Sequence, residues 1–155
     1  MKFLHYELIK QQALAACAKE GRPYPDVKEL GPILLALIGD GVFSLYVRLR
    51  LLPASSQVRV VHTLAAKIVS ARMQARAMQM LAGSFTNEEE AVIRRGRNAH
   101  YLRPKSASVA EYHLATAMET LLGWLLLTDQ FARLDELLEK IFKIIAQEMA
   151  VAGKV

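Results

Sequence analysis

From Ile33 to Val47 the sequence is almost wholly apolar, and Asp40 is its single charge. A run of this length, entered by Pro32 and stopped by Pro53, is too long for a buried strand and reads as a helix. Pro32 suits the first turn, where its missing N–H is not needed. A helix this apolar must lie in a protein core or in a membrane. Asp40, Arg48, Arg50, two glycines and the Pro53 stop interrupt the ~20 apolar residues that a bilayer span requires, so no membrane association is expected. What remains is a core helix carrying one carboxylate. Burying that group unpaired is costly, so a cation, a hydrogen-bond donor or a metal ion is expected to meet it.

The rest of the chain also reads as helical, because apolar/polar alternation between turn residues is missing. A first helix runs from Phe3 to Ala18, closed by Gly21, Pro23 and Pro25. The Asp40 helix starts at Pro32 and ends near Leu52. Ser55 or Ser56 caps a long third helix reaching Leu81, with Gly83 after its end. Thr86 with Glu89 forms a capping box for a fourth helix through Arg95, and Ser108 with Glu111 forms another. Between them, residues 96–107 read as a basic loop. Asp129 caps a last helix from Phe131 to Val151. Trp124, with its neighbouring leucines, reads as core or a partner interface. Met73, Met78 and Met80 read as core.

The helix opened by Ser108 is as apolar as the first and carries its own isolated acid, Glu119, within Leu114–Leu127. Hard divalent cations take oxygen ligands and keep several waters, so one or two carboxylates plus a substrate phosphate suffice to hold one. Asp40 and Glu119 fit that role; a salt bridge to an arginine is the alternative for each. Gly39 and Gly41 remove side chains beside Asp40 and allow a close approach by another helix or a phosphate.

The 155 residues fit one domain with a sizeable core, and 53% apolar against 23% charged residues is the balance of a folded globular protein. A single cysteine, Cys17, excludes an internal disulfide, fits a reducing compartment and reads as a core residue. The amphipathic start, Met1 to Glu7, gives no convincing signal peptide, and a cytoplasmic location is expected. Net charge is +5, but residues 41–110 hold eleven basic residues and three acids, a balance of +8, leaving −3 elsewhere. Lys67, Arg72, Arg76, Arg94, Arg95, Arg97 and Lys105 make this span a footprint for a polyanion, with a solvated helix face as the plainer reading. The four histidines lack metal-binding spacing, and neither a serine-nucleophile motif nor a Gly-rich phosphate loop is present.

Four ordered blocks carry a resemblance. Ala36-Leu37-Ile38-Gly39-Asp40-Gly41-Val42-Phe43-Ser44-Leu45-Tyr46-Val47-Arg48 resembles the signature helix of the ribonuclease III fold, and more closely that of Mini-III, its short bacterial form without a double-stranded-RNA-binding domain. Lys67-Ile68-Val69-Ser70-Ala71-Arg72-Met73-Gln74-Ala75 is similar to that family's K-x-V-S-A-x-x-Q-A helix. Residues 88–99, ending Arg94-Arg95-Gly96-Arg97-Asn98-Ala99, resemble its E-E-E-x-x-x-x-R-G-R-N-A element. Ala115 to Leu125 resembles its S-T-A-F-E-A-L-L-G-Y-L helix, with Met118 and Thr120 departing from the commoner Phe and Ala.

The resemblance implies an all-α, homodimeric endonuclease domain. Residues 26–155 would form it, and residues 1–25 an N-terminal extension packed on it. Asp40 and Glu119 would be the catalytic, metal-binding carboxylates, with Mg2+ as cofactor and Mn2+ as a substitute. Double-stranded RNA would lie across the dimer, each subunit cutting one strand to leave 5′-phosphate and 3′-hydroxyl ends. The implied substrate is the large-subunit (23S) ribosomal RNA precursor, with a ribosomal protein as a further candidate partner. Lys67, Arg72, Arg76, Arg94, Arg95, Arg97, Asn98 and Lys105 would contact RNA, and binding by the basic middle of the chain should fall steeply with salt. Full-length ribonuclease III enzymes carry two more acids where this chain has Ala36 and Thr116, a reduction that Mini-III shares. Two rival readings are a catalytically inactive helical dimer that binds structured RNA in ribosome assembly and a purely structural interaction protein.

Overall fold

Two apolar helices cross at the centre of the molecule, and glycines set how closely. The computed structural model describes residues 4–21, 25–99 and 107–152, and every regular element within them is helical. The central pair is α2 (Pro32–Leu51) and α6 (Val109–Leu127). A methyl group on Gly39 would lie 1.8 Å from the Glu119 carbonyl oxygen, and one on Gly123 would lie 2.0 Å from that of Leu35. The two backbones therefore touch, each helix offering a glycine to the other's carbonyl. Leu35, Phe43, Val47, Met118, Leu121 and Leu125 close over this crossing with essentially no exposure. Burial of each such side chain is worth about 1.5–3 kcal/mol relative to exposure.

The other helices surround this pair. In chain order, α1 (Leu4–Lys19) precedes α2; α3 (Val58–Ile68), α4 (Ala71–Met80) and α5 (Asn87–Arg97) follow it; α7 (Phe131–Ala152) comes last. A single 3₁₀ turn, Leu52–Ala54, carries Pro53 past the end of α2. Helices α4 and α5 pack on α6. Helix α7 buries Leu134, Leu137, Leu138, Ile141 and Ile145, one stripe at helical spacing. Helix α1 is fastened by Lys10, whose Nζ donates to the carbonyls of Leu126 (3.2 Å) and Leu127 (2.9 Å) and to Asp129 Oδ1 (2.6 Å). A cation thus meets the carbonyl end of α6, where helix polarity favours it. The stretch Pro32–Ala54 is long and apolar enough to cross a membrane, yet α2 uses one face of it against α6 as core.

Both capping boxes are formed: the Thr86 and Ser108 hydroxyls accept from the Glu89 and Glu111 N–H groups, whose carboxylates accept in return. Several boundaries differ from expectation. The expected long third helix is broken at Val69 and Ser70 into α3 and α4. Ser70 turns its hydroxyl back onto the Lys67 carbonyl at 2.8 Å, and Gln74 Nε2 donates to the Val69 carbonyl at 3.0 Å, so side chains replace the continuing helical bonds. Neither Ser55 nor Ser56 is the N-cap of α3. That position is Gln57, whose N–H donates to Ser55 Oγ.

Helix α5 continues through Gly96 to Arg97 because Gly96 faces α6, where a methyl group would lie 2.5 Å from Thr120 Oγ1. The glycine marks a close approach rather than a helix end. Asp129 does not cap α7. It sits in the left-handed region (φ 59°) just after α6, with its own N–H on the Leu126 carbonyl and the Gln130 N–H on that of Leu125. This is a Schellman ending with Asp where Gly is usual. Cys17 is half-buried and Met80 is half-exposed, whereas Trp124 and Met78 are core.

The acidic first turn of α5 does more than favour the helix dipole. Glu89 is 2% exposed and receives a two-pronged bond from Arg133 on α7, Nε to Oε1 at 2.8 Å and Nη2 to Oε2 at 3.0 Å. Arg133 also donates to the Ser84 carbonyl and to Glu136. Burial alone would raise the Glu89 pKa, but the bonds from Arg133 and from the Thr86 N–H outweigh it and hold the group below the usual carboxylate range. Arg133→Met would leave a buried carboxylate unpaired, and an expected loss of about 3–5 kcal/mol should be read from urea unfolding at pH 7. Because the folded-state pKa is depressed, the pair's contribution is complete above the normal carboxylate range. It disappears as pH falls through the folded-state value, so the variant's deficit should shrink in acid.

Candidate active site

Asp40 projects from just before the middle of α2 and Glu119 from the middle of α6. The Gly39 contact places the Asp40 segment directly against the Glu119 backbone. Both acids line one cavity of about 330 Å³, together with Ile33, Ala36 and Leu37 of α2, Tyr112, Ala115 and Thr116 of α6, and Val69 and Ala71 from the α3–α4 break. The helix break therefore supplies one wall. Ala36 and Thr116 also face this space.

Asp40 is exposed, contrary to the expectation of burial. The buried face of α2 is formed by Leu35, Ala36, Gly39, Val42, Phe43, Tyr46 and Val47, and Asp40 lies off it. Its recorded partner is the Ser44 hydroxyl, donating at 3.4 Å. Glu119 is more enclosed. Burial, and then the negative charge of Asp40, push its pKa up to about 7, while a hydrogen bond from Gln74 acts in the opposite direction. The two acids thus resist being ionised together. Their oxygens and mutual repulsion suit a hard divalent cation, which would satisfy both. Among the described residues no cluster of three or more His, Cys, Asp or Glu side chains could hold a metal, and the carboxylates lining this cavity are Asp40 and Glu119.

This raised pKa has a consequence for the metal-free protein. Between the ordinary carboxylate range and pH 7 the folded state keeps a proton that the unfolded chain has lost. The stability arising from that proton is present at low pH and falls as pH rises toward 7. Urea midpoints in EDTA should decline across this window, and Asp40→Asn should flatten the decline.

Gly39 makes the expected close approach, but Gly41 meets nothing within 4 Å of an added methyl group and lines a separate apolar groove beneath α1. The basic residues fall into two sets. Lys67, Arg72, Arg94 and Arg97 are exposed, as is Asn98. Lys67 and Arg72 flank the break that walls the cavity, and Arg97 and Asn98 border a neighbouring hollow with Ala110, His113 and Leu114 of α6. The other set is exposed too but has surface partners within the chain. Arg76 pairs with Glu148 at 3.1 Å, and Arg95 donates to the Leu30 carbonyl at 2.9 Å. Lys105 lies outside the described residues. Sequence reasoning did not single out Gln74 or Tyr112. Gln74 stood inside a recognised block, but one amide on an amphipathic helix gives no signal of its own.

The Ribonuclease III domain family model matches residues 34–130, most of the chain and both acids. A Mini-ribonuclease 3 of Enterococcus faecalis is 40% identical over 126 residues, 79% of this chain and 96% of the relative. One from Thermoanaerobacter is 37% identical over 123 residues, covering 78% and 87%.

This chain belongs to the Mini-ribonuclease 3 family.

Like the rest of that family it is an endoribonuclease, which removes the two non-enzymatic readings. A crystal structure of a Fusobacterium nucleatum protein shares the Mini-ribonuclease 3 fold seen here, with TM-score 0.71 at 22% identity over 77% of this chain and 99% of that one. Helix α1 and all of α7 fall outside the family match.

Proposed function

We propose that the enzyme cuts double-stranded RNA with a divalent cation, Mg2+ or in its place Mn2+, held between Asp40 and Glu119. The observation that carries this reading is the meeting of two mutually repelling carboxylates from different helices on one cavity of an endoribonuclease. A cation bound there would offset charge on the phosphoryl group and acidify water. The chain's own residues do the rest. Asp40 and Glu119 would present oxygens to the cation, whose charge would favour the ionised form of Glu119. Lys67 and Arg72 beside the cavity, and Arg94, Arg97 and Asn98 farther along, hold backbone phosphates. Arg76 and Arg95, which share their guanidinium groups with Glu148 and the Leu30 carbonyl at the surface, are further contacts, and Lys105 is kept as a contact on sequence grounds.

In this reading residues 26–155 form the catalytic domain and residues 1–25 an extension clasped by Lys10. The substrate is the 23S ribosomal RNA precursor in the cytoplasm, with a ribosomal protein as a helper on the precursor. The enzyme acts as a homodimer. Leu34, Leu37 and Leu49 on α2, with Leu52 just past its end, leave an exposed apolar stripe that a second copy would cover. The test is cleavage of labelled 23S precursor duplex with Mg2+, scored for 5′-phosphate ends, beside an unrelated duplex and beside Leu49→Glu protein. Preferential precursor cleavage by a dimer that Leu49→Glu dissociates supports the reading. Equal cleavage of any duplex would remove the precursor assignment, and a monomeric active wild type would remove the dimer.

A further inference from the structure

Gln74 is 1% exposed, a deep burial for a primary amide. Its Nε2 donates to the Val69 carbonyl at 3.0 Å, at the break whose residues wall the cavity of Asp40 and Glu119. The same side chain lies beside the Glu119 carboxylate and acts to lower its pKa against the effect of burial. Both neighbours are acceptors, so the amide turns its nitrogen toward them: one N–H is bonded to Val69 and the other is left for Glu119. Its oxygen is left buried without a partner. An orphaned buried acceptor destabilises a fold, and Met or Leu would fill this volume without one. The amide is therefore poorly explained as core filling and well explained by its grip on the acid.

We propose that Gln74 is a positioning residue that holds Glu119 in place: one N–H is anchored on the Val69 carbonyl, and the other fixes the direction of the Glu119 carboxylate in the cavity. This rests on the reading of Glu119 as a cation ligand. Without Gln74 the carboxylate keeps its place on α6 but loses its aim, so cation binding suffers while duplex binding by the basic surface does not. The α3–α4 break then has a purpose, because a continuous helix would keep the Val69 carbonyl for itself.

The test uses the full chain and Gln74→Met, which keeps reach and volume but has no donor. Mn2+ binding to the RNA-free protein is followed by electron paramagnetic resonance, and the half-activating Mg2+ concentration is taken from duplex cleavage. Both should weaken about 10- to 100-fold, as for outer partners of metal ligands, while metal-free duplex affinity stays within about twofold. Unchanged Mn2+ affinity in folded Gln74→Met protein overturns the proposal. If that variant does not fold, the side-chain amide resonances of Gln74 decide. They should shift on Glu119→Gln and not on Glu148→Gln, and a pair indifferent to Glu119→Gln overturns the proposal. Should wild-type protein bind no Mn2+, the metal reading fails separately, and the amide resonances still report whether Gln74 holds Glu119.

Discussion

Asp40→Asn and Glu119→Gln should each slow duplex cleavage by more than about 100-fold, beyond the range usual for outer partners of a metal site, with duplex affinity in EDTA unchanged or slightly improved. The two changes act differently. Glu119→Gln removes the more enclosed acid and with it the group whose pKa stands at about 7. Asp40→Asn removes an exposed acid and the charge that helps to hold that pKa up. The Asn variant should therefore be inactive yet more stable than wild type in EDTA above pH 7, because a repulsion that only a cation relieves has gone. Single-turnover cleavage, filter binding and urea unfolding on the same samples separate these effects. A variant that cuts at more than a tenth of the wild-type rate at saturating Mg2+ would exclude its acid from the catalytic centre.

Gly39→Ala and Gly123→Ala should be the most damaging small substitutions in the core. At 1.8 and 2.0 Å, the added methyl groups would overlap backbone carbonyl oxygens, which cannot rotate away as a side chain can. The helices must separate, and Leu35, Phe43, Leu121 and their neighbours must give up contact. Overpacking of this kind costs about 1–3 kcal/mol when side chains can yield, and about 3 kcal/mol or more is expected here. Gly41→Ala is the control. Its added methyl meets nothing, and alanine is the better helix former by about 1 kcal/mol, so stability should hold or rise. Urea midpoints for the three proteins give the comparison, and equal midpoints would contradict the crossing described here.

The helical class and both capping boxes were legible in the sequence because each rests on local spacing, whereas the pairing of two lone acids came from the isolation of each on an apolar helix together with the family resemblance. Chemistry between distant segments was not. Glu89 reads as a first-turn acid until α7 brings Arg133 to it. Gly96 reads as a helix stop until Thr120 stands opposite. Asp40 looks buried within an apolar run, but a helix buries only one face, and α2 leaves Leu34, Leu37 and Asp40 off that face. The break at Val69 is silent in sequence because it is closed by the side chains of Ser70 and Gln74, ordinary helix-surface residues by pattern. Asp129 looks like an N-cap because the same residue type serves in a left-handed C-terminal ending, and only φ distinguishes the two.

The glycine crossing also bears on how this enzyme can be altered. Since α2 and α6 meet backbone to backbone, the separation of the Asp40 and Glu119 segments is set by atoms that every amino acid shares. Side-chain volumes elsewhere in the core have little leverage on it. Stabilising libraries can therefore draw on the α7 face without retuning the separation of the two acids, whereas positions 39 and 123 belong outside any library.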